Sequence, residues 1–528
     1  MRGEGQEQAG DERYAWRVMA VVMVGTCMAT LDSSIVNVSI PKIMADFGSQ
    51  LQDIEWVVTG YMLAFAALMP MTSWLRDHVG HKRLYLWALV LFTGGSLACA
   101  LAWNLPSLIA ARVLQALGGG AITPTGMAMI TEVFPPRTRG KAIGYWGMGV
   151  IAGPAVGPTL GGYLTNAFGW RSIFTVNLPI GILGVLLAGI LLKPDVPHES
   201  QRRPFDAWGF AFLTLFLVSF LLGLSKGEDK GWGSTFLLSC WGLAGLGLVG
   251  LLLVELQVKG DGIMDLGLLK HPVFAASMVM NFVRSVALFG GTFLVPLFLQ
   301  NLAGYDELQC GLIMLPASLL VAAVMPVSGR LGDKVGPFLP SFIGLVLCAY
   351  SLYLYFDVDV TTPLWDIIYP QMIRSVGMGL LMAPVIAAAM NSVPARKTGM
   401  AAAMLNVNMQ VSGSVGIALL TTVLSHRTTF HAAAYAAALK AGDPAFADSL
   451  GRVAASARGL GLNHADSLRV AGAVLGRHLG QRAAVAGFDD AFLVAAVLVA
   501  VGVVAALPLP KKPVHGPAHG VNAAAAAE

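Results

Sequence analysis

The sequence predicts an all-α polytopic membrane protein with fourteen transmembrane helices. Three observations predict it: an apolar composition, a succession of apolar segments of spanning length, and a lopsided placement of lysine and arginine. Of 528 residues, 56% are hydrophobic and 12% charged, against about 25% charge in an average soluble domain. The formal net charge of +4 is too small to suggest nucleic acid as a partner. Cys27, Cys99, Cys240, Cys310 and Cys348 lie in or beside apolar segments, without metal-ligand spacing or a disulfide framework. They read as small buried hydrophobes.

A span needs roughly 20 apolar residues. Residues 1–15 form a polar tail. The apolar run that follows is too long for a signal-peptide core, and no small-residue cleavage site stands out. With charges and Pro/Gly breaks as boundaries, spans are expected at 16–40, 56–75, 84–103, 107–131, 142–165 and 173–192, a first six-helix bundle over 16–193. Two more, at 207–225 and 235–255, lie in a linker over 194–272. The last six, at 273–299, 310–329, 338–356, 365–391, 399–424 and 490–509, make a second bundle over 273–509, followed by a tail over 510–528. The stretch 425–487 is too polar to span and too long for an ordinary connection. Asp443-Pro444 reads as a helix start and Gly459 as a stop, and Asn463 with Asp466 as the cap of a second helix ending near Gly480.

An even number of spans puts both termini on one side. That side holds 20 of the 34 basic residues, among them Arg76, Lys82, Arg83, Arg137, Arg139, Lys141, Arg202, Arg203, Arg330, Lys334, Arg396 and Lys397. The short loops opposite hold four: Lys42, Arg171, Lys226 and Lys230. Seven more lie in the long final loop, which does not report orientation, and three lie inside spans. Both termini are therefore expected in the cytoplasm. An internal repeat supports the count: Leu75, Asp77 and Gly80 after the second span recur at the same offsets as Leu331, Asp333 and Gly336 after the tenth. The pairing aligns the first six spans with the last six, and two similar halves are a known transporter plan.

The motifs carry a resemblance to a known family. Leu31-Asp32-Ser33-Ser34-Ile35-Val36-Asn37-Val38 in the first span, Leu75, Asp77, Gly80, Lys82 and Arg83 in the loop after the second, and Arg112, Gln115 and Gly118 in the fourth resemble the fourteen-span drug:proton antiporters of the major facilitator superfamily. So do Gly149, Gly153, Pro154, Gly157, Pro158, Gly161 and Gly162 in the fifth, then Trp170-Arg171-Ser172-Ile173-Phe174 and Asn177-Leu178-Pro179. The match covers nearly the whole chain and is close to the EmrB and QacA group. It departs at Ser73 and Ala116, where glycine is usual. The resemblance implies a major facilitator fold: two six-helix bundles plus two inserted helices, multi-pass in a bacterial cytoplasmic membrane. It implies efflux of amphipathic drugs or toxic organic compounds, driven by the proton motive force and without a cofactor. It also implies a periplasmic adaptor like EmrA docked through 425–487.

Asp32 is the one acidic residue well inside a span, and no histidine lies within one. A carboxylate in hydrocarbon faces a cavity or a partner. Asp32 is thus the leading proton carrier, unless it is a fixed brace of its helix through Ser33, Ser34 and Asn37. Arg112, with Gln115 a turn away, is the expected partner and tunes its proton affinity, or forms a fixed pair. Arg374 sits in the equivalent helix of the second half. The second half's counterpart of the helix that holds Asp32 carries Arg284 and not a carboxylate, so coupling is expected to concentrate in the first half. Arg284 points to an anionic or hydrogen-bonding substrate, to snorkelling, or to a local pair.

Gly149, Gly153, Gly157 and Gly161 recur every four residues and let backbones approach closely. With Pro154 and Pro158 they suit a flexible, tightly packed helix between the halves, or static packing. Asp77, Gly80 and Arg83, with Asp333 and Gly336, are expected to latch the halves on the cytoplasmic side, or simply to set topology. Asn406, Asn408 and Gln410 in the thirteenth span line the cavity or join helices, and Met404 and Met409 beside them add adaptable apolar surface. Asn37, Gln115, Arg284 and Arg374 complete the candidate cavity residues. No Gly-rich Lys-Ser/Thr phosphate loop is present, so ATP hydrolysis is not supported. A dedicated exporter of one endogenous metabolite or antibiotic is the alternative reading. An intramembrane receptor or enzyme lacks a supporting constellation.

Overall fold

The computed structural model describes residues 2–194, 205–258, 262, 264–356, 358–394, 397–438, 444–459 and 462–513. The calls on Arg202, Arg203, Arg396 and Asp443 lie outside them, as does most of the tail over 510–528. The first half runs through α1 (Arg2–Phe47), α2 (Leu51–Ile54), α3 (Trp56–Leu68), α4 (Met71–Val79), α5 (His81–Ala100), α6 (Leu105–Val133), α7 (Arg139–Phe168), α8 (Ser172–Thr175) and α9 (Asn177–Leu191). The inserted pair is α10 (Ala207–Lys230) and α11 (Thr235–Val258). The second half comprises α12 (Pro272–Asn301), α13 (Glu307–Val335), α14 (Phe338–Tyr353), α15 (Leu364–Asn391), α16 (Thr398–Ala438), α17 (Pro444–Gly459) and α18 (His464–Gly502). Among the described residues there is no strand, and helix occupies every segment expected to span.

Among the described residues ten helices are long and apolar enough to cross a membrane, eleven if α3 and α4 form one span bent by 55°. The bend falls at Pro70, which has no N–H to continue the helical ladder. Residues 272–288 of α12, and α14, are apolar but shorter. The expected fourteen spans thus stand against ten or eleven helices of spanning length and two shorter apolar ones among the described residues. The two repeated loops adopt one backbone: Gly80 has φ 89°, ψ 165° and Gly336 has φ 91°, ψ 163°, a region that side chains with a Cβ rarely enter.

The final loop differs from its expected form. α16 does not stop at 424 but continues to Ala438, and α18 runs unbroken from His464 to Gly502. Asn463 caps α18 as expected, its side chain accepting from the Asp466 N–H at 2.8 Å, and α17 ends at Gly459. Gly480, expected as a stop, lies mid-helix in open space. Its neighbours are strong helix formers, and further along Ala483 is buried while Gly487 packs on Leu424 and Thr428 of α16. Tertiary packing outweighs one glycine's propensity cost of about 1 kcal/mol.

The halves meet on two seams. On the first, α7 lies along α13: Gly140 against Gly329 and Asp333, Gly144 against Met325 and Pro326, Gly147 against Met325, and Thr159 against Gly311. On the second, Arg76 of α4 lies against Gly399 of α16, and Asn406 of α16 reaches Met127 of α6. The inserted pair covers that second seam: Leu213 and Leu217 of α10 join Met69 and Val407 in one apolar cluster.

Candidate functional site

The site is built around Asp32, halfway along α1 and fully buried. Four neighbouring helices supply its surroundings. Arg112 Nη1 on α6 donates to Asp32 Oδ2 at 2.6 Å. Gln115 Nε2, one turn along α6, donates to Oδ1 at 2.8 Å. Asn177 Nδ2, at the start of α9, donates to the same oxygen at 2.7 Å. Ser96 Oγ on α5 accepts from Gln115 at 2.6 Å and from Asn177 at 3.3 Å. Gln115 Oε1 accepts from Arg112 Nη1 at 2.6 Å, and Val57 O on α3 accepts from Arg112 Nε at 3.3 Å. The Tyr61 ring lies 4.0 Å from the guanidinium carbon and the Phe174 ring 5.7 Å, closing the cluster with cation–π contacts.

Every partner donates to the carboxylate, so this is the hydrogen-bond pattern of an ionised acid, which only accepts. A buried ion pair is stable when its remaining lone pairs and protons are satisfied, and here they nearly are. Asn177 Oδ1 and the Tyr61 hydroxyl are exceptions, buried with no partner. A proton arriving at Asp32 changes both terms at once. It removes the attraction for Arg112 and turns one oxygen from acceptor into donor, so the cluster has to rearrange. In this conformation Asp32 and Arg112 are closed to solvent, with 0% and 1% of each exposed.

The expected brace of α1 has different members. Ser33 bonds within its own helix, to Thr30 O, and Asn37 is exposed. Ser34 Oγ bonds Gly153 O at 2.9 Å and Thr30 Oγ1 bonds Gly149 O at 3.2 Å. Those two fasten α1 to α7 on the face away from Asp32. The reason is the glycine stripe. A Cβ at Gly153 would lie 2.2 Å from the Thr30 carbonyl carbon, and one at Gly157 1.9 Å from Ser34 Oγ. Gly149 faces Cys27 and Gly161 faces Ile35. The stripe therefore packs α7 on α1 of its own half, not between the halves. Gly140, Gly144 and Gly147, which precede the stripe over 149–161, make the contact across. The backbone at Pro154 and Pro158 remains helical.

The repeated loops also part company. Asp333 Oδ1 and Oδ2 accept the Gly140 and Lys141 N–H groups at 3.0 and 2.9 Å, so the second copy grips the N-terminus of α7 across the halves. Asp77 instead holds Arg76 beside it, with Arg76 Nε donating at 2.8 Å. Arg83 is exposed, while Lys82 donates to Gly189 O and Leu192 O at the end of α9. A further crossing bond joins Arg139 Nη1 to Asn391 Oδ1 at 2.6 Å.

In the second half, Arg284 is 1% exposed and Arg374 5%, which removes snorkelling as the explanation of Arg284. On α16, Asn406 bonds Ala402 O in its own helix, and Asn408 bonds Met278 O on α12 at 2.8 Å. Asn408 thus joins two helices, Asn406 reaches another helix only at Met127 Sδ, 3.8 Å away, and Gln410 is half-buried. Asn177 and Ser96 carry part of the acid's hydrogen bonding without any signal of their own in the pattern. Only the place of Asn177 in the span-six motif marked it.

A family model described as Major Facilitator Superfamily matches residues 22–417. The uncharacterised MFS-type transporter YhcA of Bacillus subtilis is 34% identical over 502 residues, covering 94% of this chain and 93% of its own length. The multidrug resistance protein B homolog of Mycobacterium tuberculosis strain H37Rv is 32% identical over 414 residues, 78% of this chain and 76% of its own. Among solved structures, the human organic anion transporter MFSD10 superposes with a TM-score of 0.59 over 93% of this chain and 99% of its own. At 13% identity that likeness speaks for the fold alone.

Removing one member of a buried ion pair leaves the other uncompensated, at a cost of about 3–5 kcal/mol. Asp32→Asn and Arg112→Gln are each expected to lower the melting temperature of the detergent-solubilised protein. The double variant is expected to recover much of the loss. A double-mutant cycle on thermal melting checks this, and simple additivity would show that the two side chains do not act as a pair.

Proposed function

The chain belongs to the major facilitator superfamily, and from that membership we propose that it is a proton-coupled exporter of amphipathic organic compounds. Multidrug resistance is what the name of its mycobacterial relative states. Alternating access of two halves about a central site is the mechanism this reading invokes. The observation that carries the coupling is the Asp32–Arg112 pair, a buried acid held between four helices by partners that all donate to its charged form. Protonation from one side releases Arg112 and loosens α1 from α5, α6 and α9. Deprotonation on the other side restores the grip. Substrate binding and proton binding then oppose each other, because each favours a different arrangement of the same helices.

Proposed with it is the placement of both termini on the cytoplasmic side. The Gly140–Asp333, Arg139–Asn391 and Arg76–Gly399 contacts then lie on the inner face and close it, and the extensions of α16, α17 and α18 project outward. The projecting hairpin is the proposed docking surface for a periplasmic adaptor. Co-purification of an adaptor with the parent, but not with a chain lacking 440–480, is the expected result; equal recovery with both rejects docking there.

The coupling is tested by flux in proteoliposomes with an imposed pH gradient. Parent protein is expected to accumulate a fluorescent drug against its gradient. Asp32→Asn is expected to lose accumulation at least tenfold while still binding the drug. Equal gradient-driven accumulation by both would remove Asp32 from proton coupling.

A further inference from the structure

The two halves treat their buried arginines differently. Arg112 has a carboxylate at 2.6 Å. Arg284 Nη2 donates only to Asn281 Oδ1 at 2.7 Å and Ser285 Oγ at 3.4 Å, and its Nε has no partner. Arg374 Nη1 makes one long contact, 3.5 Å to Leu288 O, and its Nε is likewise unpartnered. Among the described residues no carboxylate pairs with either arginine. Leu288 lies one helical turn beyond Arg284 on α12, so both guanidinium groups are brought to the same stretch of that helix. A guanidinium keeps its proton in proteins, and an uncompensated buried charge is expensive. Two of them in one half ask for an anion.

The surroundings say what kind. Ser277, Asn281, Arg284 and Ser285 form a buried polar stripe along α12, and Ser277 Oγ is also without a partner. Asn281 is pinned by its own bond to Leu405 O on α16 at 3.0 Å, which fixes the acceptor that orients Arg284. Met280 of α12, Met378 and Met382 of α15 and Met404 of α16 are all buried in one apolar cluster, a flexible and polarizable apolar surface.

We infer that Arg284 and Arg374 form the recognition site for an organic anion, an amphipathic cargo whose carboxylate or sulfonate supplies the counter-charge the second half lacks. The inference rests on the transport reading for the word cargo, but its test does not. Recognition of charge sits in the second half and proton handling in the first. The acidic group of the cargo lies between the two guanidinium groups and its apolar body against the methionines.

Equilibrium binding to the purified full-length chain tests it, without membrane or gradient. The probes are a panel of aromatic carboxylates, each paired with its methyl ester, and inorganic phosphate. The parent is expected to bind at least one carboxylate tenfold or more tighter than its ester, with phosphate competing weakly. Arg284→Gln and Arg374→Gln are each expected to weaken carboxylate binding about tenfold to a hundredfold while leaving ester binding within about twofold. Both are also expected to raise the melting temperature of the unliganded protein. Should the glutamine variants not fold, Arg284→Lys and Arg374→Lys keep the charge and are expected to retain part of the carboxylate preference. A parent with no preference for any carboxylate over its ester overturns the inference. So does a preference untouched by substitution at either arginine, or phosphate competing as strongly as the carboxylates. A charge-selective, arginine-dependent binder that moves nothing in a pH gradient would leave this site standing and overturn the transport reading instead.

Discussion

The ion pair between Asp32 and Arg112 is the constraint on which the first half depends. It draws α1, α5, α6 and α9 to one point through side chains that are all buried, and the Tyr61 and Phe174 rings fold over it. On its other face α1 is bonded to α7 through Thr30 and Ser34, with glycines removing every side chain that would hold the two apart. α7 in turn carries the contact with the second half, through Gly140, Gly144 and Gly147 and through the Asp333 grip on its first N–H groups. A contiguous chain of close packing thus runs from the acid to the seam between the halves. Such packing resists continuous deformation, which makes a discrete rearrangement the natural response to a change of charge at Asp32.

The halves are alike in path and unlike in chemistry. Their repeated loops share the backbone of Gly80 and Gly336 to within a few degrees, yet one aspartate reaches across and the other keeps a local arginine. In the equivalent interiors, the first half holds a neutral ion pair and the second two cations that no carboxylate pairs among the described residues. The repeated Leu-Asp-Gly pattern explains the shared path of the loops; the divergence in charge is where the proposed tasks of the two halves separate. The inserted α10 and α11 add to the asymmetry, covering the seam beside α3 and α16 and leaving the α7–α13 seam uncovered by them.

Much of this was legible in the sequence because the bilayer forces a strong signal. Every apolar run of spanning length falls on helix, and the repeat around Asp77 and Asp333 paired the halves. The cost of a lone carboxylate singled out Asp32, and Arg112 and Gln115, a turn apart, were its natural partners. What was not legible has physical reasons. Ser96 and Asn177 are short polar residues that a membrane helix tolerates almost anywhere, so only the fold reveals that Asn177 meets Asp32 and that Ser96 braces its two amide partners. A four-residue glycine stripe announces a close partner but not which one, and α7 has glycine on two faces. The end of α18 was misplaced because Gly480 is a stop only where nothing continues the packing, and Ala483 and Gly487 continue it against α16. The α16 extension is polar enough to leave the membrane without leaving the helix.

The most direct measurement is difference infrared spectroscopy of the purified protein on acidification and on substrate addition. If Asp32 carries the proton, a band of a protonated carboxylic acid in an apolar setting appears on acidification. Substrate addition then reduces that band, and it is missing from Asp32→Asn. A band that survives in Asp32→Asn, or one that substrate leaves unchanged, would contradict the claim that the buried pair links proton to cargo.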